Sequence, residues 1–188
     1  MNMEIINKII RNRKTIYPTQ YSDKEIPESV LNEILKNAIH APTHRMTQPW
    51  FFKIYKGESK GVLSKIIASI DDEKFSKIKI DKFLKKIKLS DSIIAVFMTR
   101  DKKNRIPEWE EIAAVSMAVQ NMWLSCYVNN IGSYWSTTAI KDEYAKHVNL
   151  SSNQRSLGFF FMGSYQHVES NKLRDNLSEK VEWVKSLG

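Results

Sequence analysis

What the chain has little of narrows its chemistry first. It has one cysteine, Cys126, which excludes an intramolecular disulfide and any cysteine-based metal cluster. Cys126 falls in an apolar helical run, so a buried structural thiol is expected rather than a nucleophile. Glycine is sparse, six residues in all, and no G-x-G-x-x-G, P-loop or H-E-x-x-H motif occurs. No G-x-S-x-G supports a serine triad. Of the four histidines, His40 and His44 are closest, but Pro42 breaks the helix that would aim both at one ion. A catalytic metal is therefore not expected. No apolar run reaches the ~18 residues of a membrane-spanning helix. The first residues carry no secretory core or cleavage signal, so a cytoplasmic protein is expected.

What is present suits one domain over 1–188, large enough for a core of its own. Basic residues outnumber acidic ones, 29 to 21, for a formal charge of +8. Such a balance suits an anionic ligand, whether a phosphate, a nucleotide or nucleic acid. A lysine-rich composition without functional meaning accounts for it equally well.

Hydrophobic spacing supplies the elements. Ile5, Ile6, Ile9 and Ile10 form one stripe of a helix that ends at the basic cluster Arg11, Arg13, Lys14, where cations favour the macrodipole. Residues 15–27 read as loop. Pro27 opens a second helix, with Val30, Leu31, Ile34, Leu35 and Ala38 on its apolar face, and Pro42 ends it. Trp50–Tyr55 reads as a strand and 58–70 as a helix. Residues 73–88 carry seven lysines among apolar residues. They could form a nucleic-acid face, but an amphipathic helix with a solvated lysine face is preferred. Ser92–Met98 is a continuous apolar run of strand length. The longest helix, about 109–129, has apolar residues almost all round, and Asn129-Asn130-Ile131-Gly132 supplies its left-handed stop. Tyr134–Thr137 is a short strand or loop, 141–148 a short helix and Leu157–Gly163 a strand. The polar tail ends in a helical pattern at Leu177, Val181, Val184 and Leu187. Four strands alternating with helices give an α/β-type layered domain, with strand order and direction left open.

The segment from His40 to Trp50 stands out. It holds two histidines, Thr43, Arg45, Gln48 and a tryptophan between two fixed prolines, Pro42 and Pro49. Loops so equipped are where binding groups tend to sit. Together with Arg11, Arg13 and Lys14, the Trp135-Ser136-Thr137 segment, and Lys172 and Arg174 in the tail, it sketches a distributed anion site. Arginine forks and lysine charges suit a phosphate, while hydroxyls and imidazoles suit the polar edge of a heterocycle. Separate, unrelated surface features remain the alternative.

Five ordered pieces resemble the nitroreductase family of flavin enzymes, in its small one-domain NAD(P)H nitroreductase branch. They are Arg13-Lys14-Thr15 after the first helix, Ala41-Pro42-Thr43 leading to Gln48-Pro49-Trp50, Pro107-Glu108-Trp109-Glu110 opening the long helix, Gly132–Thr137 after it, and Gly158–Gly163 in the late strand. The resemblance covers nearly the whole chain. Two positions depart from the family pattern: Met46, where the family often has an asparagine, and Lys14, where it usually has a second arginine.

The resemblance implies an α+β sandwich, a central mixed and mostly antiparallel sheet flanked by helices, in place of the α/β alternation. It implies an intertwined homodimer with FMN at the interface and the long helix at the dimer core. Arg13, Lys14 and Thr15 would then grip the phosphate and ribityl chain, with Lys172 and Arg174 helping at the phosphate. His40 and His44 would reach the flavin of the other subunit, and Trp135, Ser136 and Thr137 would line the isoalloxazine. The implied activity is electron transfer from NADH or NADPH to a flat nitroaromatic or quinone by a ping-pong route. Flavin would carry the chemistry, with no catalytic side chain required. A non-catalytic flavin-binding protein and, more remotely, a basic nucleic-acid-binding domain are the alternatives.

Overall fold

The computed structural model describes residues 3–70, 75–166 and 174–184. In chain order the elements are α1 (Met3–Asn12), α2 (Glu28–Ala38), β1 (Trp50–Lys56), α3 (Ser59–Ala68), α4 (Lys77–Leu89), β2 (Ser92–Thr99), α5 (Glu108–Val128), β3 (Ile131–Ser136), α6 (Ile140–Lys146) and β4 (Gln154–Ser164). The strands form one sheet in the order β1-β2-β4-β3, and every pairing is antiparallel. The architecture is α+β, as the resemblance implies. The helix–strand alternation left strand direction open; here every hydrogen-bonded neighbour is antiparallel, while β2 and β3, on either side of β4, run the same way.

Side chains alternate across a strand, so a strand apolar at every position is buried on both faces. In β2, Ile94, Val96 and Met98 join a core with α2 and α5, through Leu31, Ile34, Val115 and Met122. Ile93, Ala95 and Phe97 join a second core with α3, α4 and α6. The phenylalanine run of β4 divides the same way: Phe160 lies on the α5 side, and Phe159 and Phe161 lie opposite. In α4 the preferred reading holds: Ile80, Phe83 and Ile87 are buried, while Lys77, Lys79, Lys82, Lys85 and Lys88 face solvent.

Three expectations are corrected. Burial of α5 is not all round, since Trp109, Met117 and Val128 are exposed. The left-handed stop after α5 is Asn130, at φ 54°. Gly132 lies within β3, opposite Gly163 of β4. The ring of Tyr21 stands on that glycine pair: a Cβ at Gly163 would come within 2.4 Å of it, and one at Gly132 within 2.9 Å. Finally, the described residues of the tail form one 3-10 turn, Leu177–Glu179, with Val181 and Val184 exposed, while Leu187 lies outside the described residues. A helix that short, with no apolar face to pack, does not offset its nucleation cost.

Candidate functional site

The basic end of the site begins where α1 stops. The Arg13 N–H donates to Ile9 O, and Ile16 N–H donates to Ser133 O at 3.1 Å, which lays residues 13–16 along β3. The Tyr21 hydroxyl, held protonated by burial, bridges the carbonyl oxygens of Ile16 (3.0 Å) and Phe161 (3.1 Å). The segment is thus tied to the sheet on two sides.

On this support the guanidinium of Arg13 lies over the ring of Trp123, 4.7 Å from its centroid. Its Nε is enclosed and has no hydrogen-bond partner among the described residues, and the same is true of Trp123 Nε1. Burial, and next the nearby charge of Arg174, pull the Arg13 guanidinium below the usual arginine range. An arginine remains charged at neutral pH regardless. Among the described residues no carboxylate pairs with Arg13. Arg13, with an unspent donor, and the charge of Arg174 felt at it favour an anion there. Arg13 and Arg174, far apart in sequence, thus act on one another electrostatically. Lys14 and Thr15 are half-buried beside Arg13. Lys172 lies outside the described residues.

The second part is the end of β3. Trp135 is half-buried and its Nε1 has no partner. Ser136 is buried and accepts from the Tyr134 hydroxyl at 3.4 Å; Thr137 is exposed. Across the ladder Trp135 faces Phe160, and Phe160 meets Trp123 edge-on, 5.7 Å between centroids at 88°. One aromatic row thus joins Arg13 to Trp135. Gly158 makes room for it. At φ +120° its backbone is in a region that side chains rarely adopt, and a Cβ there would sit 2.3 Å from Ser136 O and 3.2 Å from Trp135 Nε1.

The loop carrying His40 and His44 is built differently. Thr43 Oγ1 accepts the Gln48 N–H at 3.1 Å and lies 3.2 Å from Thr47 Oγ1. Arg45, Met46 and Gln48 all have φ between 45° and 53°. Three non-glycine residues in the left-handed region cost about 1 kcal/mol or more each, so the surroundings must hold the loop firmly. Two ties do so. Thr99 N–H donates to Pro49 O at 2.7 Å, and His44 Nδ1 lies 2.5 Å from Glu110 Oε2 on the first turn of α5. Both histidines are exposed. These ties lead to β2 and α5, and among the described residues none joins the loop to Arg13 or Trp135.

Adjacent glutamates on α5 do different work. Glu111 is buried; it pairs with Arg100 and accepts the Asp101 N–H at 2.9 Å, fixing the β2–α5 loop. Glu110 faces the histidine loop. Cys126 is buried, donates toward Met162 Sδ at 3.6 Å and has its thiol pushed up to about 12 by burial, as an inert structural cysteine should.

Four residues of this arrangement were given no site role from the sequence, although Glu110, Phe160 and Gly158 fall within its motif pieces. Trp123 and Phe160 have the apolar spacing of core residues, and nothing local marks the partner of either. Glu110 is one of several acids opening α5, a pattern already explained by the macrodipole. Gly158 is a motif glycine whose reason, the approach of β3, is not local.

Known proteins share this arrangement of elements. The nitroreductase family profile matches residues 10–164. Putative NAD(P)H nitroreductase YfhC of Bacillus subtilis is 27% identical over 183 residues, covering 94% of this chain and 92% of that protein. The crystal structure of a nitroreductase-like family protein from Bacillus cereus superposes with a TM-score of 0.85 at 23% identity, covering 99% and 98% of the two chains. That of a Desulfovibrio desulfuricans protein described as a putative nitroreductase in complex with FMN gives 0.73 at 22% identity, covering 96% of each. With the profile spanning most of its length, the chain belongs to the nitroreductase family.

Proposed function

We propose that the protein is a cytoplasmic, FMN-dependent oxidoreductase that takes electrons from NADH or NADPH and passes them to a flat nitroaromatic or quinone. The carrying observation is the Arg13 guanidinium on the Trp123 ring, where the charge of Arg174 is also felt, at one end of an aromatic row that reaches Trp135 at the other. The unspent Arg13 Nε and the two positive charges fit a phosphate monoester. Thr15 suits ribityl hydroxyls, and Trp135, Ser136 and Thr137 suit the ring system, with Lys14 and Lys172 adding positive charge.

FMN, when bound, supplies the two-electron chemistry, and no residue of the chain needs to act as a nucleophile or metal ligand. Arg13 and Arg174 would hold the charged end, and Trp135, beside Phe160 on the neighbouring strand, would line the ring system and keep water from it. Donor and acceptor take turns in the same place, which is a ping-pong order. They need no separate nucleotide-binding fold, consistent with the lack of a glycine-rich fingerprint.

The site is completed by a second copy of the chain. Support comes from α1, whose Ile5, Ile6 and Ile10 are exposed, and from Met117 and Val128 of α5. An apolar groove of about 300 Å³ runs between the two helices, lined by Ile6, Ile9, Ile10, Leu124 and Val128. With α5 at the dimer interface, the histidine loop tied to it through Glu110 delivers His40 and His44 to the partner's flavin.

A visible spectrum of the purified protein incubated with FMN, then desalted, tests the reading; a retained flavin band is expected. Adding NADPH or NADH should bleach that band, and a nitroaromatic or quinone should restore it. A protein that takes up no flavin rejects the proposal. Flavin that binds but stays oxidised under both donors leaves only a flavin-binding role.

A further inference from the structure

Arg13 is held by an unusual neighbour. A buried arginine is commonly fixed by a carboxylate, which positions it and also cancels its charge. Here the described residues set the guanidinium over an indole face, 4.7 Å from the centroid. That distance is within the range in which a cation is attracted to a ring. Such a platform fixes the cation without neutralising it, so the full positive charge remains for a ligand. The platform is itself anchored, because Trp123 meets Phe160 edge-on at 5.7 Å and Phe160 faces Trp135 across the sheet. The nearby Arg174 raises the electrostatic cost of the Arg13 charge, and an anion would relieve that cost.

Resting on the reading of this site as an FMN site, we infer that Trp123 is the positioning residue for its phosphate end: its indole face holds the Arg13 guanidinium in place for the ligand. Its place among the apolar residues of α5 conceals this role. Its enclosed, unpartnered Nε1 sets it apart from an ordinary core tryptophan, which usually finds an acceptor.

The test compares FMN with riboflavin, which lacks only the phosphate, in titrations of the flavin-free protein followed by flavin fluorescence. The wild-type protein should prefer FMN. Trp123→Leu should weaken FMN binding about five- to tenfold, the size of a partly desolvated cation–π contact, and leave riboflavin binding within about twofold. Trp123→Phe keeps a ring face and should lose less, with FMN again affected more than riboflavin. Adding Trp123→Leu to Arg13→Ala should cost almost nothing further, because the platform then has nothing to hold. An unchanged FMN-to-riboflavin ratio in Trp123→Leu, or an equal fall for both ligands, overturns the inference. If Trp123→Leu does not fold, Trp123→Phe decides by the same ratio. Failure of the wild-type protein to bind either flavin rejects the functional reading itself, and so is distinguishable from failure of the Trp123 role.

Discussion

Arg13 carries two demands at once, to be enclosed and to stay charged, and the surrounding residues meet both without a carboxylate. Its removal is therefore expected to be costly. Arg13→Ala should weaken FMN binding by about 1.5–3 kcal/mol, the range for a hydrogen bond to a charged group, as read by flavin fluorescence titration. Arg13→Lys keeps the charge but loses the planar fork and should recover only part of that loss. His44 presents a separate case: His44→Ala is expected to weaken FMN retention on desalting with only a modest fall in thermal stability, because the Pro49–Thr99 tie still holds the loop. Glu110→Gln should give a smaller loss, since a neutral amide can still accept from Nδ1. Unaltered flavin content in His44→Ala would show that the histidine loop does not serve the cofactor. At this scale the sequence was informative about charged and motif residues. It was silent about Trp123 and gave no reason for the motif glycine Gly158, because both depend on atoms contributed by other elements.

At the scale of elements, the apolar periods located every helix that packs on the sheet, because burial and spacing have a common cause there. They also located α1, which touches α5 but buries no residue, so that much of its stripe stays exposed within its own chain. Period alone does not reveal which molecule supplies the other half of an apolar contact. The expected consequence is specific: Ile6→Asp or Ile10→Asp should shift the protein from dimer to monomer in light scattering coupled to gel filtration, with little change in secondary structure by circular dichroism. In β4, Gly158→Ala should destabilise the fold by more than ~2 kcal/mol, because it combines a disfavoured φ with a backbone clash. For a chain of this length that is a fall of roughly 2–4 °C in Tm per kcal/mol. Strand direction was not legible locally: antiparallel return is set by which strands meet, and the strand order β1-β2-β4-β3 places chain-distant segments side by side.

For the whole molecule, the separation of labour between the two sheet faces is the main result. One face, with α3, α4 and α6, is a closed core that includes the buried Tyr55–Tyr144 hydroxyl pair at 2.6 Å. The other, with α2 and α5, carries Trp123, Trp135 and the approach to Arg13. Ligand binding should thus register as global stabilisation. FMN at about 100 times its Kd is expected to add ~2.7 kcal/mol, visible as a rise in Tm by calorimetry, with a smaller rise for riboflavin at equal concentration.

The histidine loop is fastened to α5 of its own chain, and its ties do not reach Arg13. If each flavin draws its phosphate grip from one chain and its histidines from the other, damage to the two parts can be carried by different subunits. Arg13→Ala and His44→Ala chains, each defective as a pure preparation, could be unfolded, mixed and refolded together. Every mixed pair would then hold one doubly damaged site and one untouched site. Partial recovery of activity from two inactive parents would follow, an intersubunit complementation that a self-contained site cannot produce.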